Sequence, residues 1–533
     1  PNVLGGVIEM DVADDPTAPD RTTVRVTGGV DHVGGFGTSG TLEVPIETED
    51  GGWLLRGGVG YRDSPGQPLA SGVTEPVPTE DDLRLNTDVD QIDGFFSTRY
   101  GSDGGAWVSL MGTGFSAERG IAAELGADEP RFWRYPDIRR TIAVASAGTG
   151  DRETPLGRGG ISASFGYDDG HTEIESYTSR AYDQIDGTEI GDDRTWTGRA
   201  LGQHSMGDMA SLRMAFTYAD ILRDQNTDGL LETFQQRLWS LGTEANLRLL
   251  DDADAGLQSL QLTLGGAIDR ASTPQSGGRP PLDPLTDWGG RAGLTGVLSD
   301  GNLLLHGGVS RRVRFPALRE LYSEALGEFA ANPDLEPERL VAIEVGSTMR
   351  VAEGEVQLVG FHHDLTGAIR RITLDDGRRQ RVNADRLRST GLEVLASQDF
   401  GPLSLTGDLT LQAVDLIDPN TSVSTEPENL PQVAGEIAAG MSFGAGFSGT
   451  FEAQYTGTQY CQDPDTGADR ELDDGTWLNA GLAKRFSLGR GQAGTISGVE
   501  LSAFVRNLGD IELDDQCGLP RPGRLFGLQV SVF

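Results

Sequence analysis

The chain has 533 residues, 81 acidic against 43 basic side chains and a formal net charge of -38, a balance that argues against nucleic acid as a partner. A general adaptation to salt or habitat accounts for the same acidity. Mean hydropathy is -0.31 and no run of about 18 apolar residues occurs, which excludes a helical membrane span but not a barrel, whose strands show lipid only every second residue.

From the first segment onward the pattern is one of β-structure. Trp53, Leu55, Val59 and Tyr61 alternate with Arg56, Gly58 and Arg62, and the 75 glycines of the chain suit a strongly curved sheet. Ile161, Ala163, Phe165 and Tyr167 alternate with Ser162, Ser164, Gly166 and Asp168; Leu212, Met214, Phe216 and Tyr218 alternate with Arg213, Ala215 and Thr217. Trp239, Leu241, Ala245, Leu247 and Leu249 follow the same rule, as do Val499, Leu501, Ala503 and Val505 near the end. A soluble sandwich gives this alternation too, so the connections must decide.

Short polar turns are expected at Glu49–Gly52, Ser102–Gly105, Gly207–Asp208, Ser299–Asn302, Ala352–Gly354 and Gly444–Gly446. Long links are expected at Gln67–Val89, Ile121–Arg139, Ala181–Asp193, Ser323–Glu338, Leu416–Gln432 and Cys461–Gly475, with a short helix or turn at Ile121–Leu125 and Arg131–Arg134. Long loops are uncommon inside a compact soluble domain and normal at one rim of a membrane barrel. The expected fold is all-β: a transmembrane antiparallel β-barrel of about 22 strands with short periplasmic turns and long extracellular loops. No repeat of fixed sequence supports a propeller or solenoid.

Several groups are candidate sites. Asp224, Asn226, Asp228 and Glu232 match the first half of a calcium loop, although Gln235 stands where a bidentate Glu belongs and a plain solvated hairpin explains the same residues. Asp463, Asp465 and Asp469 form a weaker candidate. Phe132, Trp133, Arg134 and Tyr135, with Arg378, Arg379 and Arg381, could hold an anionic planar ligand by stacking and charge; an aromatic girdle and locally balanced charges are the alternative. His362 and His363 point to opposite faces of a strand and do not share an ion. No Gly-x-Ser-x-Gly elbow, His-Glu-x-x-His or phosphate loop is present, so no enzyme site is visible and no cofactor is required.

Two stretches carry more than architecture. Val309–Gly346 contains Phe315-Pro-x-Leu-x-Glu-Leu-Tyr322 and Asn332-Pro-x-Leu-x-Pro-Glu338, and Val505–Phe533 contains Val505-x-Asn-Leu508 and Pro522-Gly-Arg524. These resemble late-barrel segments of TonB-dependent outer-membrane receptors, and Phe361–Glu393 is similar to that family as well.

The resemblance implies that Pro1–Val12 is the final strand of a plug, so that residues 1–20 form the end of the plug and a linker and 21–533 the barrel of a mature or truncated product. It implies a multi-pass protein of a Gram-negative-type outer membrane, powered by the TonB–ExbB–ExbD complex and taking up a ferric siderophore first, then cobalamin, haem or oligosaccharide. A passive channel or structural barrel is the alternative of a different class. In the up-and-down order Cys461 falls in the tenth extracellular loop and Cys517 in the eleventh, where a disulfide is expected. His363 is expected on the lipid face, in place of the family's aromatics. Phe533 falls out of phase with Phe526, Leu528, Val530 and Val532.

Overall fold

A computed structural model of the protein describes residues 21–533 except 78, 80–81, 253, 255, 419–423, 464–467 and 489–496. The expected plug strand and Asp465 lie outside the described residues. Twenty-two wall strands run up and down from Thr23–Asp31 to Leu525–Val532, each pairing antiparallel with its neighbour. First and last strands pair from Val26↔Val532 to Asp31↔Gly527, which closes the wall and leaves no free edge. Three short β pieces, Arg152–Thr154, Phe329–Ala330 and Ser424–Thr425, attach at the rims.

Alternation along each strand divides the wall into two chemistries. Val59, Ile161 and Val345 are 68, 65 and 65 % exposed on the outer face, where lipid would cover them. Polar side chains such as Arg56 and Glu43, which pair at 3.0 Å, face the lumen. Aromatics girdle the outer face: Trp53 lies on Tyr100 at 5.1 Å near the short turns, and Tyr167 lies on Trp196 at 4.3 Å toward the other rim. On Gly51–Ser64 the stretch from Trp53 to Tyr61 is the length of strand that a bilayer core requires.

The two rims are unlike. Turns on one side are brief, such as 49–50 and 352–353, while the other side carries loop 2 (65–88), loop 3 (121–132), loop 7 (315–337), loop 9 (418–432), loop 10 (457–474) and loop 11 (507–524). Loop 4 (178–184) is shorter than expected, because Ala181–Asp193 is half strand: Ile185–Met206 runs for 22 residues. Strands 157–177 to 257–276 hold 18 to 22 residues, so the longest reach about 70 Å and stand well above the bilayer. There the outer face turns charged, with Arg194 on Asp224 at 2.6 Å and His171 on Asp192 at 2.7 Å.

Register corrects the placing of the histidines. His362 pairs with Ile343, which is 47 % exposed on the outer face, and so faces lipid. His363 shares the lumen face of Glu344, which it meets at 3.5 Å. Phe533 sits on the inner phase, where Arg25 and Arg485 stack over its ring at 5.3 and 4.1 Å.

Candidate ligand-binding mouth

The extracellular loops fold inward and lock together, and each half of this cap uses its own chemistry. Loop 7 leaves the wall at Phe315, which is 2 % exposed against Val313 and Ala271. A short helix, Leu318–Tyr322, then drops Leu318, Leu321 and Tyr322 onto Phe234 and Leu335. Tyr322 stacks on Phe234 with ring centres 5.1 Å apart. Glu320 accepts the Ala317 N–H at 2.8 Å and holds Arg314 through both its oxygens, each at 2.9 Å.

Loop 8 (374–378) caps the hairpin of Gly354–Thr373 and Arg379–Phe400, and loop 7 is stitched to that hairpin. Phe329 and Ala330 pair parallel with Arg379 and Gln380. Asn332 Nδ2 donates to Arg381 O at 2.8 Å, and Asn383 exchanges bonds with the Glu336 backbone at 2.7 and 2.9 Å. Two register shifts around Gly367 cancel, so Ile369 keeps the inward phase of His363 and packs on the loop 7 cluster.

The other half is polar. Arg84 of loop 2 and Glu75 pair at 2.8 Å with side chains only 5 and 3 % exposed. Arg84 Nη2 also donates to Ala123 O in loop 3 at 2.6 Å and to Gly518 O in loop 11 at 3.4 Å. Burial lowers the Arg84 pKa, against the pull of Glu75. Gly518 has φ +69 and a Cβ there would meet Leu125 O at 2.4 Å, so only glycine fits between loops 11 and 3. Cys461 and Cys517 are bonded across loops 10 and 11 with Cα atoms 5.7 Å apart. Asn507, fully buried, donates to Ile511 O at 3.0 Å and Pro522 O at 3.2 Å and so clasps loop 11 at its root.

The family model for the TonB dependent receptor-like β-barrel matches residues 13–508. The chain belongs to the TonB-dependent receptor family. No curated protein matches the sequence. Among solved structures, the receptor is similar to the copper transporter OprC at TM-score 0.75 and 15 % identity, covering 96 % of this chain and 80 % of that one. The FrpB iron transporter from Neisseria meningitidis (F5-1 variant) gives 0.74 and 13 %, covering 97 % and 83 %. The siderophore receptor PiuA from Acinetobacter baumannii gives 0.69 and 11 %, covering 97 % and 82 %. Family and closed wall together make the receptor an outer-membrane β-barrel of the Gram-negative type, from a family of transporters and receptors.

Within the receptor, the predicted site residues are split. Phe132 lies edge-on to Tyr182 at 6.1 Å with Arg180 over its ring, Trp133 carries Arg131, and Arg134 ties Asn86 at 2.9 Å and Asp88 at 2.7 Å. These three fasten loop 3 to loops 2 and 4, while Tyr135 pairs in register with Arg119 on the wall. Arg378 is exposed and held by Asp376 at 2.8 Å, whereas Arg379 and Arg381 turn inward with Arg371 and Arg319, two residues that the sequence did not single out. The pair Arg370-Arg371 in an otherwise alternating strand was the available signal.

The calcium candidate is a tight hairpin around Asp228 and Gly229. Asp224 binds Arg194 and accepts from Thr233 at 2.7 Å, Asn226 accepts the Gly229 N–H at 2.9 Å, and Asp228 accepts the Thr188 N–H at 3.0 Å. Glu232 lies on the opposite face and pairs with Arg279 at 3.3 Å. Among the described residues no group of three or more His, Cys, Asp or Glu is placed to hold a metal ion.

Proposed function

We propose that the receptor imports a scarce, bulky iron chelate of the ferric siderophore class, bound first at the capped mouth and released into the periplasm by energy from TonB–ExbB–ExbD. The observation that carries this reading is the cap itself: loops 2, 3, 4, 7, 8, 10 and 11 interlock over a barrel of 22 strands, as selective capture requires and free diffusion does not. Membership of the family and the likeness to structures named as an iron transporter and a siderophore receptor support it.

The test is accumulation of labelled iron from ferric siderophores by cells with and without the receptor, each with and without TonB. Accumulation that needs both is expected. Accumulation that needs the receptor but not TonB would instead favour a passive channel, and selective accumulation of copper, cobalamin, haem or oligosaccharide would replace the substrate.

A further inference from the structure

The hairpin that carries loop 8 presents positive charge to the mouth. Register sets Arg371 opposite Arg381 and Thr373 opposite Arg379, so Arg371, Arg379 and Arg381 share the inward face of Ile369. Arg319 of the loop 7 helix stands beside them: Arg381 Nη1 donates to its backbone carbonyl at 3.0 Å, and its charge lies near enough to oppose that of Arg381. Arg381 also lies over the Phe329 ring at 5.2 Å, and the Arg379 N–H is held by Glu328 O at 2.9 Å, so both side chains start from fixed backbones.

Carboxylates stand nearby, Glu320 by Arg381 and Glu189 by Arg319, but none pairs directly with these arginines, which is unexpected in this chain. Acidic residues outnumber basic ones by 81 to 43, and neighbouring arginines find them: Arg314 binds Glu320 at 2.9 Å, Arg279 binds Glu324 at 2.9 Å and Arg223 binds Asp193 at 2.7 Å. Among the described residues, Arg319, Arg371, Arg379 and Arg381 form no ion pair, and Arg379 Nη1 is buried without a hydrogen-bond partner. Burial and the nearby charges of Arg371 and Arg131 push the Arg379 pKa down, and Glu328 and Glu124 offset this only in part. Arg131, facing from loop 3, already holds Glu124 through Nε at 2.6 Å. Guanidinium groups do not shed their protons in this range, so the packing keeps like charges side by side, Arg371 with Arg379 and Arg319 with Arg381.

We infer that Arg319, Arg371, Arg379 and Arg381 form a binding site for anionic oxygens, carboxylate or catecholate, and that the imported chelate is negatively charged. The second half of this rests on the uptake reading above. The planar forks of the arginines match such oxygens in pairs, and a bound anion removes the repulsion among them.

The experiment uses the purified full chain in detergent, with binding of three probes measured by calorimetry: citrate without iron, a triply negative ferric tris-catecholate and a neutral ferric tris-hydroxamate. Citrate and the catecholate should bind, and more weakly as salt rises, while the double variants R371Q/R379Q and R319Q/R381Q should lose at least about tenfold in affinity. R378Q, whose arginine is exposed and paired with Asp376, should bind as the wild type does. Heat-dependent gel mobility reports folding, and the salt dependence of the unmutated chain keeps the test open if a variant fails to fold. Equal binding of the neutral chelate, salt-independent binding or unchanged double variants would overturn the inference and leave siderophore uptake standing. Arginine-dependent citrate binding in a receptor that moves no iron would support the site and remove the uptake reading.

Discussion

Loops 7 and 8 close their side of the mouth with a small apolar core, Phe234, Leu318, Leu321, Tyr322 and Leu335, whereas loops 2, 3, 4 and 11 close theirs around the buried Arg84–Glu75 pair and a disulfide to loop 10. An apolar core is non-directional and yields gradually as atoms are removed. A buried ion pair is directional, and loss of one member strands the other charge. The contrast teaches that the polar half is the brittle one, and four substitutions or solution changes can break or sharpen it.

The largest effect is expected from Arg84→Met, which leaves the buried Glu75 with only the Leu85 N–H at 3.2 Å and the longer contact to Arg180 at 3.7 Å, at a cost of about 3–5 kcal/mol to the polar half. Hydrogen exchange should accelerate in loops 2, 3 and 11 together and hardly at all in loop 7; the double variant R84M/E75L should recover most of the protection, and its failure to do so would count against the ion pair as the cause. Leu321→Ala should cost about 2–4 kcal/mol, confined to loops 7 and 8. Protection lost equally in loops 2 and 11 would mean that the halves are one unit.

Reduction of Cys461–Cys517 should come third, loosening loops 10 and 11 by about 2–3 kcal/mol, read as faster proteolysis of those loops with the barrel intact. The smallest effect is acidification, and its sign should differ between halves. Desolvation opposes ionisation of Glu124, but hydrogen bonds and charge from Arg131 outweigh it and hold the pKa below the ordinary 4.5. That tie is therefore present above pH 4.5 and lost as pH falls through the depressed value. Glu189, beneath loop 7, is buried and its pKa is raised despite Arg223, so its ionisation costs stability at neutral pH and the cost is relieved as pH falls toward 4.5. Exchange compared between pH 7 and pH 4 should show loop 3 loosening while the strand of Glu189 does not.

Much of the wall was legible in the sequence, because lipid on one side and water on the other impose a period of two on strands such as that of Trp53 and Tyr61. The signal fades where both faces meet water: Asp186 to Asp193 reads as loop and is strand, because above the bilayer a polar residue fits either face. The mouth was legible only in part. The Phe315–Tyr322 and Asn332–Glu338 motifs pointed to the family, and the structure gives them a physical task as loop clasps. Arg371 and Arg319 went unnoticed because only the folding of loop 7 onto the loop 8 hairpin brings them to Arg379 and Arg381, although plain alternation from Leu392 already sets Arg379 and Arg381 on the inner face.

The long strands have one further consequence, for force. Ala210–Thr227 is paired along its whole length on both sides, from Ala210↔Leu247 to Thr227↔Leu230 and from Ala210↔Met206 to Thr227↔Glu189. A load drawn along the barrel axis meets these bonds in shear, where many must fail at once. The loop ties above, the Cys461–Cys517 bond apart, are small separate clusters that peel one after another. A load along that axis will open the mouth long before it strains the wall.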